Sequence, residues 1–279
     1  MKCSYFLQSQ CQSCTLLDKS YEVTLVQKEV ELKKLFEGKN VLYKPTIGLD
    51  HEVSGSRYKA KFAVFSKDGE LTFGYYQADG TAKELENCPL HVRGINSFLS
   101  QIREVLKNFK IMPYDLKTKT GELKYLLISK SGNEDSGELL LRFVLRSKES
   151  LDRLRKATKD IQEIQESNKM VKVVTANIQP IHQAIQEGPE EIVLTSEKVI
   201  IHQFDEFKLA LGARSFFQVT PKIARKLYGA LAEMVRIDSP KSLIDLYCGV
   251  GAFSFYASRH CPNITGVEIS TEAIDCAKY

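Results

Sequence analysis

Seven cysteines stand in this chain, and four of them are spaced for joint work. Cys3, Cys11 and Cys14 give C-x7-C-x2-C, and Cys88 follows far downstream in Glu86-Asn87-Cys88-Pro89. A C-x2-C pair can present two thiolates to one metal centre from a tight turn, and two further cysteines complete a four-thiolate shell. Structural zinc usually takes two C-x2-C pairs. One pair, two single cysteines and a proline after the last point more to an iron–sulfur cluster than to zinc, and spacing alone leaves both open. Such a centre would stitch the N-terminus to the region after the first hairpin. It would stabilise a segment with too few apolar residues to hold itself.

A second group lies near the end of the chain. Residues 243–253 read Leu-Ile-Asp-Leu-Tyr-Cys-Gly-Val-Gly-Ala-Phe, and Glu268 stands 17 residues beyond Gly251. A strand that enters Gly249-x-Gly251 and leaves as a helix lets the backbone turn sharply and a ligand come close. A carboxylate closing the next strand can accept hydrogen bonds from both ribose hydroxyls of a nucleoside cofactor. Ser254 fills the place of the third glycine in a dinucleotide fingerprint. Asp245 stands before the loop, where a carboxylate suits the amino-acid part of S-adenosylmethionine and repels a pyrophosphate. The loop therefore favours S-adenosylmethionine, with a nicotinamide dinucleotide as the open alternative. Cys248 lies in the loop and reads as a small packing residue, as do Cys261 and Cys276.

Basic residues cluster at Arg57/Lys59/Lys61, Lys117/Lys119/Lys124 and Arg153/Arg155/Lys156/Lys159. Each cluster by itself reads as a solvated face, and the net charge of +4 does not single out a nucleic-acid partner.

The positioning elements follow from periodicity. Glu22–Phe36 reads as a helix ended by Gly38 and Asn40. Ala60–Ser66 and Leu71–Tyr76 read as strands joined at Asp68-Gly69, a strong hairpin signal. Apolar residues from Val92 to Phe109 recur at helical spacing. Lys124–Ser129 and Glu138–Arg146 form a second strand pair around Gly132–Gly137. Leu151–Ser167 is an amphipathic helix, and Val171–Gln179 and Glu191–Leu194 are strands. After Ser215, strands alternate with helices: a helix from Pro221 to about Val235, strand Ser242–Tyr247, helix Ala252–Ser258, strand Ile264–Ile269, and a helix opening at Ser270. That alternation signals a parallel, doubly wound sheet.

At 279 residues, and about 150 residues per domain, two domains are expected. They are placed at 1–205, an α+β unit, and 206–279, the first part of the doubly wound unit. Two strands of such a sheet cannot close a core, so the second unit is expected to be incomplete here. Hydrophobic residues at 43% and charged residues at 27% exclude a disordered chain. Polar Gln8, Ser9 and Gln10 break any signal-peptide core, and no apolar run approaches the roughly 18 residues of a membrane helix. The expectation is a cytoplasmic protein with no membrane partner, in which an odd number of cysteines suits metal binding better than disulfides.

Taken in order, these segments resemble the RNA uracil-5-methyltransferase family, and within it the branch that methylates a uridine of 23S ribosomal RNA. The resemblance rests on the Cys3/Cys11/Cys14/Cys88 set, Arg57-Tyr58-Lys59-Ala60-Lys61, Gly121-Glu122-Leu123-Lys124-Tyr125 and Leu141–Ser147. It continues through Asn177-Ile178-Gln179-Pro180, Ser215-Phe216-Phe217-Gln218, Asp245–Gly251 and Val267-Glu268. It implies an α/β fold class: an N-terminal α+β domain with an iron–sulfur site, then an incomplete Rossmann-like S-adenosylmethionine-dependent methyltransferase domain. It implies a [4Fe-4S] cluster on the four cysteines and contacts to S-adenosylmethionine from Gln218, Tyr247 (usually Phe in the family) and Glu268. It raises Arg57, Lys59 and Lys61, taken to lie at the edge of the first hairpin, to candidate RNA contacts.

The implied chemistry is covalent. A cysteine thiolate adds to uracil C6, C5 attacks the methyl group, a base removes the C5 proton, and the cysteine leaves. The resemblance places that cysteine and base after Tyr279. It also implies a monomer acting on 23S ribosomal RNA. The accessory RNA-binding barrel that some relatives carry before the cysteines is not expected, the first cysteine being residue 3. A non-catalytic iron–sulfur RNA-binding protein and an NAD-dependent iron–sulfur oxidoreductase are the competing classes.

Overall fold

A computed structural model describes residues 1–50, 53–77, 79–133, 136–164, 169–182 and 186–279. In chain order the elements are α1 (Ser4–Leu7), α2 (Tyr21–Leu35), β1 (Lys59–Lys67), β2 (Glu70–Tyr76), β3 (Ala82–Glu84), α3 (Phe98–Asn108), β4 (Leu123–Lys130), β5 (Gly137–Leu145) and α4 (Leu151–Glu163). There follow β6 (Lys169–Ile178), β7 (Glu190–Val193), β8 (Ile200–Phe204), β9 (Phe207–Leu211), α5 (Pro221–Asp238), β10 (Leu243–Leu246), α6 (Ala252–Ala257), β11 (Ile264–Val267) and α7 (Thr271–Lys278).

A seven-stranded sheet in the order β3-β2-β1-β4-β5-β6-β7 dominates the first part. Its pairs are antiparallel except β5–β6, which run parallel across the α4 connection. Asp68 and Gly69 both take positive φ, 53° and 84°, as a two-residue hairpin turn requires. One face of the sheet carries Phe62, Val64, Phe73, Leu126, Ile128, Leu141, Phe143 and Val174. Against it lie Phe98, Leu99, Ile102 and Leu106 of α3 and Leu154, Ala157 and Ile161 of α4, spaced along one stripe of each helix.

The helix expected from Val92 begins only at Phe98. Gly94, at φ 94°, cannot continue a right-handed helix, so 92–97 form turns. The expected end of α4 at Ser167, and Glu134 and Asp135 of the second turn, lie outside the described residues.

A second core gathers Ile200, Phe204 and Leu209 of the β8–β9 hairpin with Ala224 and Ala232 of α5, Tyr256 of α6 and Cys276 of α7. Leu140 and Val173 join it from the other face of the large sheet. The hairpin was not foreseen from the sequence: its turn at Asp205-Glu206 has neither glycine nor asparagine, and Asp205 itself takes the left-handed φ of 54°. β10 and β11 pair in parallel, with α6 as their connection, and leave Ile244 and Leu246 exposed. Among the described residues no helix is long and apolar enough to cross a membrane.

Candidate cofactor and metal site

The glycine loop starts where β10 ends. Tyr247 takes a left-handed φ of 61° and its N–H donates to Val267 O at 2.8 Å, so the turn is anchored on β11 before the glycines begin. Gly249 and Gly251 follow with φ of 56° and 78°, a run that side chains tolerate poorly. The Tyr247 ring is 89% exposed at the mouth of this loop. Glu268 closes the loop from the neighbouring strand end. Its Oε2 accepts from Gly249 N at 3.1 Å and its Oε1 from Ser270 N at 2.8 Å. Those N–H groups, Ser270 first, hold the carboxyl below its ordinary value, so it is ionised at neutral pH. Each oxygen keeps a lone pair for a ligand hydroxyl.

Asp245 is held as well. Ser254 Oγ donates to its Oδ2 at 2.6 Å. This serine stands where a dinucleotide fingerprint has its third glycine, and its partner explains the hydroxyl. The sequence drew attention to Ser254 but gave it no role; a serine nine residues after a carboxylate, at the first turn of the following helix, was the available signal. The carbonyl of Phe216 lies over the loop, 3.9 Å from where a Cβ on Gly249 would stand. Asp245, Gly249, Gly251 and Glu268 are thus brought together. Gln218 sits on the segment that crosses above them and lines a small cavity with Lys59, Lys130, Ser215 and Phe217.

Behind that segment lies His202, 1% exposed, with its ring 5.3 Å from that of Phe217 and 6.2 Å from that of Tyr58. Neither ring nitrogen has a partner among the described residues. Burial, with Arg225 and Lys130 nearby, holds its pKa down to about 4, against an ordinary value of 6.5. The unfolded chain takes up a proton below the ordinary value while the native one does not. His202 therefore costs nothing above the ordinary value and destabilises progressively as pH falls towards the native value, by about 3 kcal/mol at the limit. A His202→Phe variant should lose less stability than the parent between pH 7 and pH 4 when urea midpoints are compared. Parallel curves for the two proteins would refute this.

Cys3, Cys11, Cys14 and Cys88 line one cavity of about 310 Å³, with Arg57, Lys59, Lys61 and His91 and no carboxylate in its wall. Burial pushes the Cys88 thiol up, and burial raises Cys14 against the opposing charge of Arg57. Among the described residues no three His, Cys, Asp or Glu side chains are placed to hold a single metal ion. Four sulfur donors stand around one common space, with Arg57, Lys59 and Lys61 in its wall. Cys88 is positioned by Asn96, whose Nδ2 donates to Cys88 O at 3.0 Å.

Arg57, Lys59 and Lys61 share one face of the chain entering β1, at alternate positions. Sequence reading put them at the edge of the first hairpin; they stand at its open end, beyond the β1–β2 pairing that starts at Ala63, where β1 pairs with β4. Lys59 and Lys61 pair with Ser129 and Leu127 of β4, and Arg57 bridges to His91. Arg57 and Lys61 are exposed, whereas burial, helped by Lys61, holds the Lys59 amine below its ordinary value.

Cys248 packs its sulfur against Gly266, whose Cβ would lie 2.8 Å away. Burial and then the charges of Asp245 and Glu268 push the thiol up, which opposes thiolate formation. Cys261 and Cys276 are buried, the latter 3.4 Å from Ser215 Oγ.

The model of a family described as tRNA (Uracil-5-)-methyltransferase matches residues 20–279. The chain is 36% identical over 280 residues to a protein of Serratia proteamaculans named 23S rRNA (uracil(747)-C(5))-methyltransferase RlmC, covering all of this chain and 72% of that one. A protein of the same name from Shewanella pealeana is 38% identical, with the same coverage. Among solved structures, the Pyrococcus abyssi tRNA (uracil-54, C5)-methyltransferase in complex with S-adenosyl-L-homocysteine superposes with a TM-score of 0.75 at 20% identity. That match covers 96% of this chain and 61% of the other, and it establishes the shared fold.

Proposed function

Since the chain belongs to the tRNA (uracil-5-)-methyltransferase family, we propose that it acts with S-adenosylmethionine to methylate C5 of a uridine in 23S ribosomal RNA, as its RlmC relatives are named for doing. The carrying observation is Glu268, pinned through both oxygens at the mouth of a left-handed glycine turn, with Asp245 beside it. A fixed carboxylate pair of this kind suits the ribose hydroxyls and the ammonium of S-adenosylmethionine. Gln218 and the Tyr247 ring would complete the cofactor's surroundings, and Gly249 and Gly251 allow its close approach. The dinucleotide reading rested on the Gly249–Gly251 loop alone, and family membership removes its ground.

The four-cysteine cavity supports a [4Fe-4S] cluster held by Cys3, Cys11, Cys14 and Cys88. Four thiolates and no carboxylate match its donor preference, and the cationic rim of Arg57, Lys59 and Lys61 suits an anionic group. When bound, the cluster ties the N-terminal segment to the Cys88 loop. Lys59 and Lys61, with Arg57, would lead the RNA phosphates towards the loop. In this reading the N-terminal unit (expected as 1–205) carries the cluster and the RNA-facing surface and the C-terminal unit (expected as 206–279) binds the cofactor, in a cytoplasmic monomer; the boundary falls in the turn of the β8–β9 hairpin, both of whose strands pack in the second core.

The covalent step on uracil C6 belongs to a thiol other than Cys248, whose sulfur is turned into the strand. Cys248→Ala should keep methyl transfer within about threefold of the parent, the scale of a surface or packing change with little effect. Loss of the covalent complex with 5-fluorouracil-containing RNA in this variant would instead make Cys248 the nucleophile.

The test is direct. The full-length gene product is purified without oxygen and given S-adenosylmethionine and unmodified 23S ribosomal RNA, and nucleosides are read by mass spectrometry. 5-Methyluridine is the expected product. Cofactor binding with no methylated uridine would overturn the proposal.

A further inference from the structure

The four-cysteine cavity and the small cavity beside Gln218 share a wall. Lys59 and Val219 line both the four-cysteine cavity and the small cavity beside Gln218. The backbone between them is a short strip with hydrogen bonds to both sides. Gly55 N donates to Pro89 O at 2.9 Å and Arg57 N to Leu90 O at 2.9 Å, while Val92 N donates to Arg57 O at 2.8 Å. Residues 55–57 are therefore zipped to the loop that carries Cys88. The next residue turns to the other site: Tyr58 N donates to Val219 O at 2.8 Å, one residue beyond Gln218. Tyr58 O accepts from Lys130 N at 2.8 Å, which fixes its height on β4. The Tyr58 ring, 7% exposed, meets His202 edge-on, and His202 in turn backs Phe217.

A peptide unit is rigid, so displacement of Arg57 by the Cys88 loop is passed to Tyr58 N and to Val219 with little slack. The Cys88 loop is held firmly on the β1 side, and the N-terminal segment on the far side of the cavity is held much less. Asn96 bonds to Cys88 O, and on the far side of the cavity α1 buries no residue at all. With so little apolar anchorage beside the bond from Asn87 N to Tyr5 Oη at 3.2 Å, shared ligation by the cysteines would add the strongest tie between the N-terminal segment and this loop.

We infer that residues 55–58 couple the two sites, with Tyr58 as the positioning residue, so that metal occupancy of the cysteine cavity sets the affinity of the Gln218–Glu268 half-site for S-adenosylmethionine. The inference rests on the cluster and cofactor assignments proposed above and adds the link between them. Tyr58 lines the small cavity beside Gln218 and acts through Val219 and, by way of His202, through Phe217. The link has a direction that a general loss of stability would not share. Cofactor affinity should fall while RNA affinity falls less, because Lys61 is fixed by β4 and not by the cysteine loop.

The experiment uses the full-length protein, purified without oxygen, before and after chelator removal of its iron, and as Cys14→Ser. Calorimetry with S-adenosylmethionine should show about tenfold weaker binding in both metal-free forms, within the usual range of coupling between sites. Hydrogen exchange should speed up in peptides holding Tyr58 and Val219 as well as in 1–17. Tyr58→Ala should retain its iron and sulfide yet raise the KM for S-adenosylmethionine by a similar factor at unchanged kcat, and Tyr58→Phe should restore it. Exchange changes confined to 1–17 and 85–92, with affinity unchanged within twofold, would overturn the coupling and leave the cluster assignment standing. A protein that binds S-adenosylmethionine but carries no iron and sulfide would overturn the cluster assignment and the coupling with it.

Discussion

Replacing Glu268 by alanine is expected to weaken S-adenosylmethionine binding by about a hundredfold or more, with RNA binding unchanged. Two effects act together. The variant removes the charged acceptor offered to the ribose hydroxyls, and hydrogen bonds to ionised groups are the strong ones. It also frees Gly249 N and Ser270 N, which Glu268 holds at 3.1 Å and 2.8 Å, so the glycine turn loses its clasp. Glu268→Gln separates the two. It keeps an acceptor for one N–H and loses the charge, and about a tenfold loss is expected. Because backbone donors hold the parent carboxyl low, its contribution is complete above the ordinary carboxylate range and lost only as pH falls through the lowered native value. Affinity should therefore be flat from pH 8 to pH 6. Calorimetric titration of parent and variants checks all three statements. Near-equal affinities would remove Glu268 from the cofactor's contacts.

Replacing Glu191 by alanine is expected to destabilise the protein by about 3–5 kcal/mol. Arg142 is a fully buried arginine on the interior strand β5, 1% exposed. Its Nε reaches Glu191 Oε2 at 2.9 Å, and Nη1 reaches Glu187 at 3.1 Å. Thr175 Oγ1 at 2.7 Å and Asn177 Nδ2 at 2.8 Å donate to the same Glu191 carboxylate. Removing Glu191 leaves the buried guanidinium to Glu187, which is half in solvent, and takes an acceptor from Thr175 Oγ1, while Asn177 Nδ2 keeps Gly188 O and Glu190 O at 3.1 Å each. Removing both charges is different. The double variant Arg142→Met, Glu191→Leu trades the pair for apolar packing and should recover most of the loss. Urea unfolding of the single and double variants checks this. A single variant within about 1 kcal/mol of the parent would mean that water reaches Arg142, on the scale of an exposed pair.

These residues mark the divide between what could be read in advance and what could not. Glu268 was legible because its partners are local. The strand, the glycine turn and the acid closing the next strand lie within 24 residues, from Asp245 to Glu268, and the parallel pairing of β10 with β11 makes sequence spacing equal to spatial proximity. The hairpin at Asp68-Gly69 and the stripes of α3 and α4 were legible for the same reason: positive φ and the helical period are properties of the nearest few residues. Arg142 carried no such mark. Its alternation within Leu141–Leu145 placed it on the second face of a strand, but the burial of that face depends on the β8–β9 hairpin and the α5–α7 helices arriving later in the chain.

The sequence by itself determined the candidate side chains: four cysteines in one spacing pattern, and two acids around a glycine turn. Tertiary structure decided their neighbours. Cys88 reaches the first three cysteines across more than 70 residues because β1–β3 return the chain to its start. β4 pairs along the first half of β1, beyond the reach of β2, which puts Arg57, Lys59 and Lys61 in the wall of the cysteine cavity and Lys59 also in that of the small cavity beside Gln218. The alternation of Arg57 towards the cysteine loop and Tyr58 towards Val219 exists only once both partners have docked. Strand order and docking are set by the pairing of distant segments, whose closure cost and surface match no local window of sequence contains.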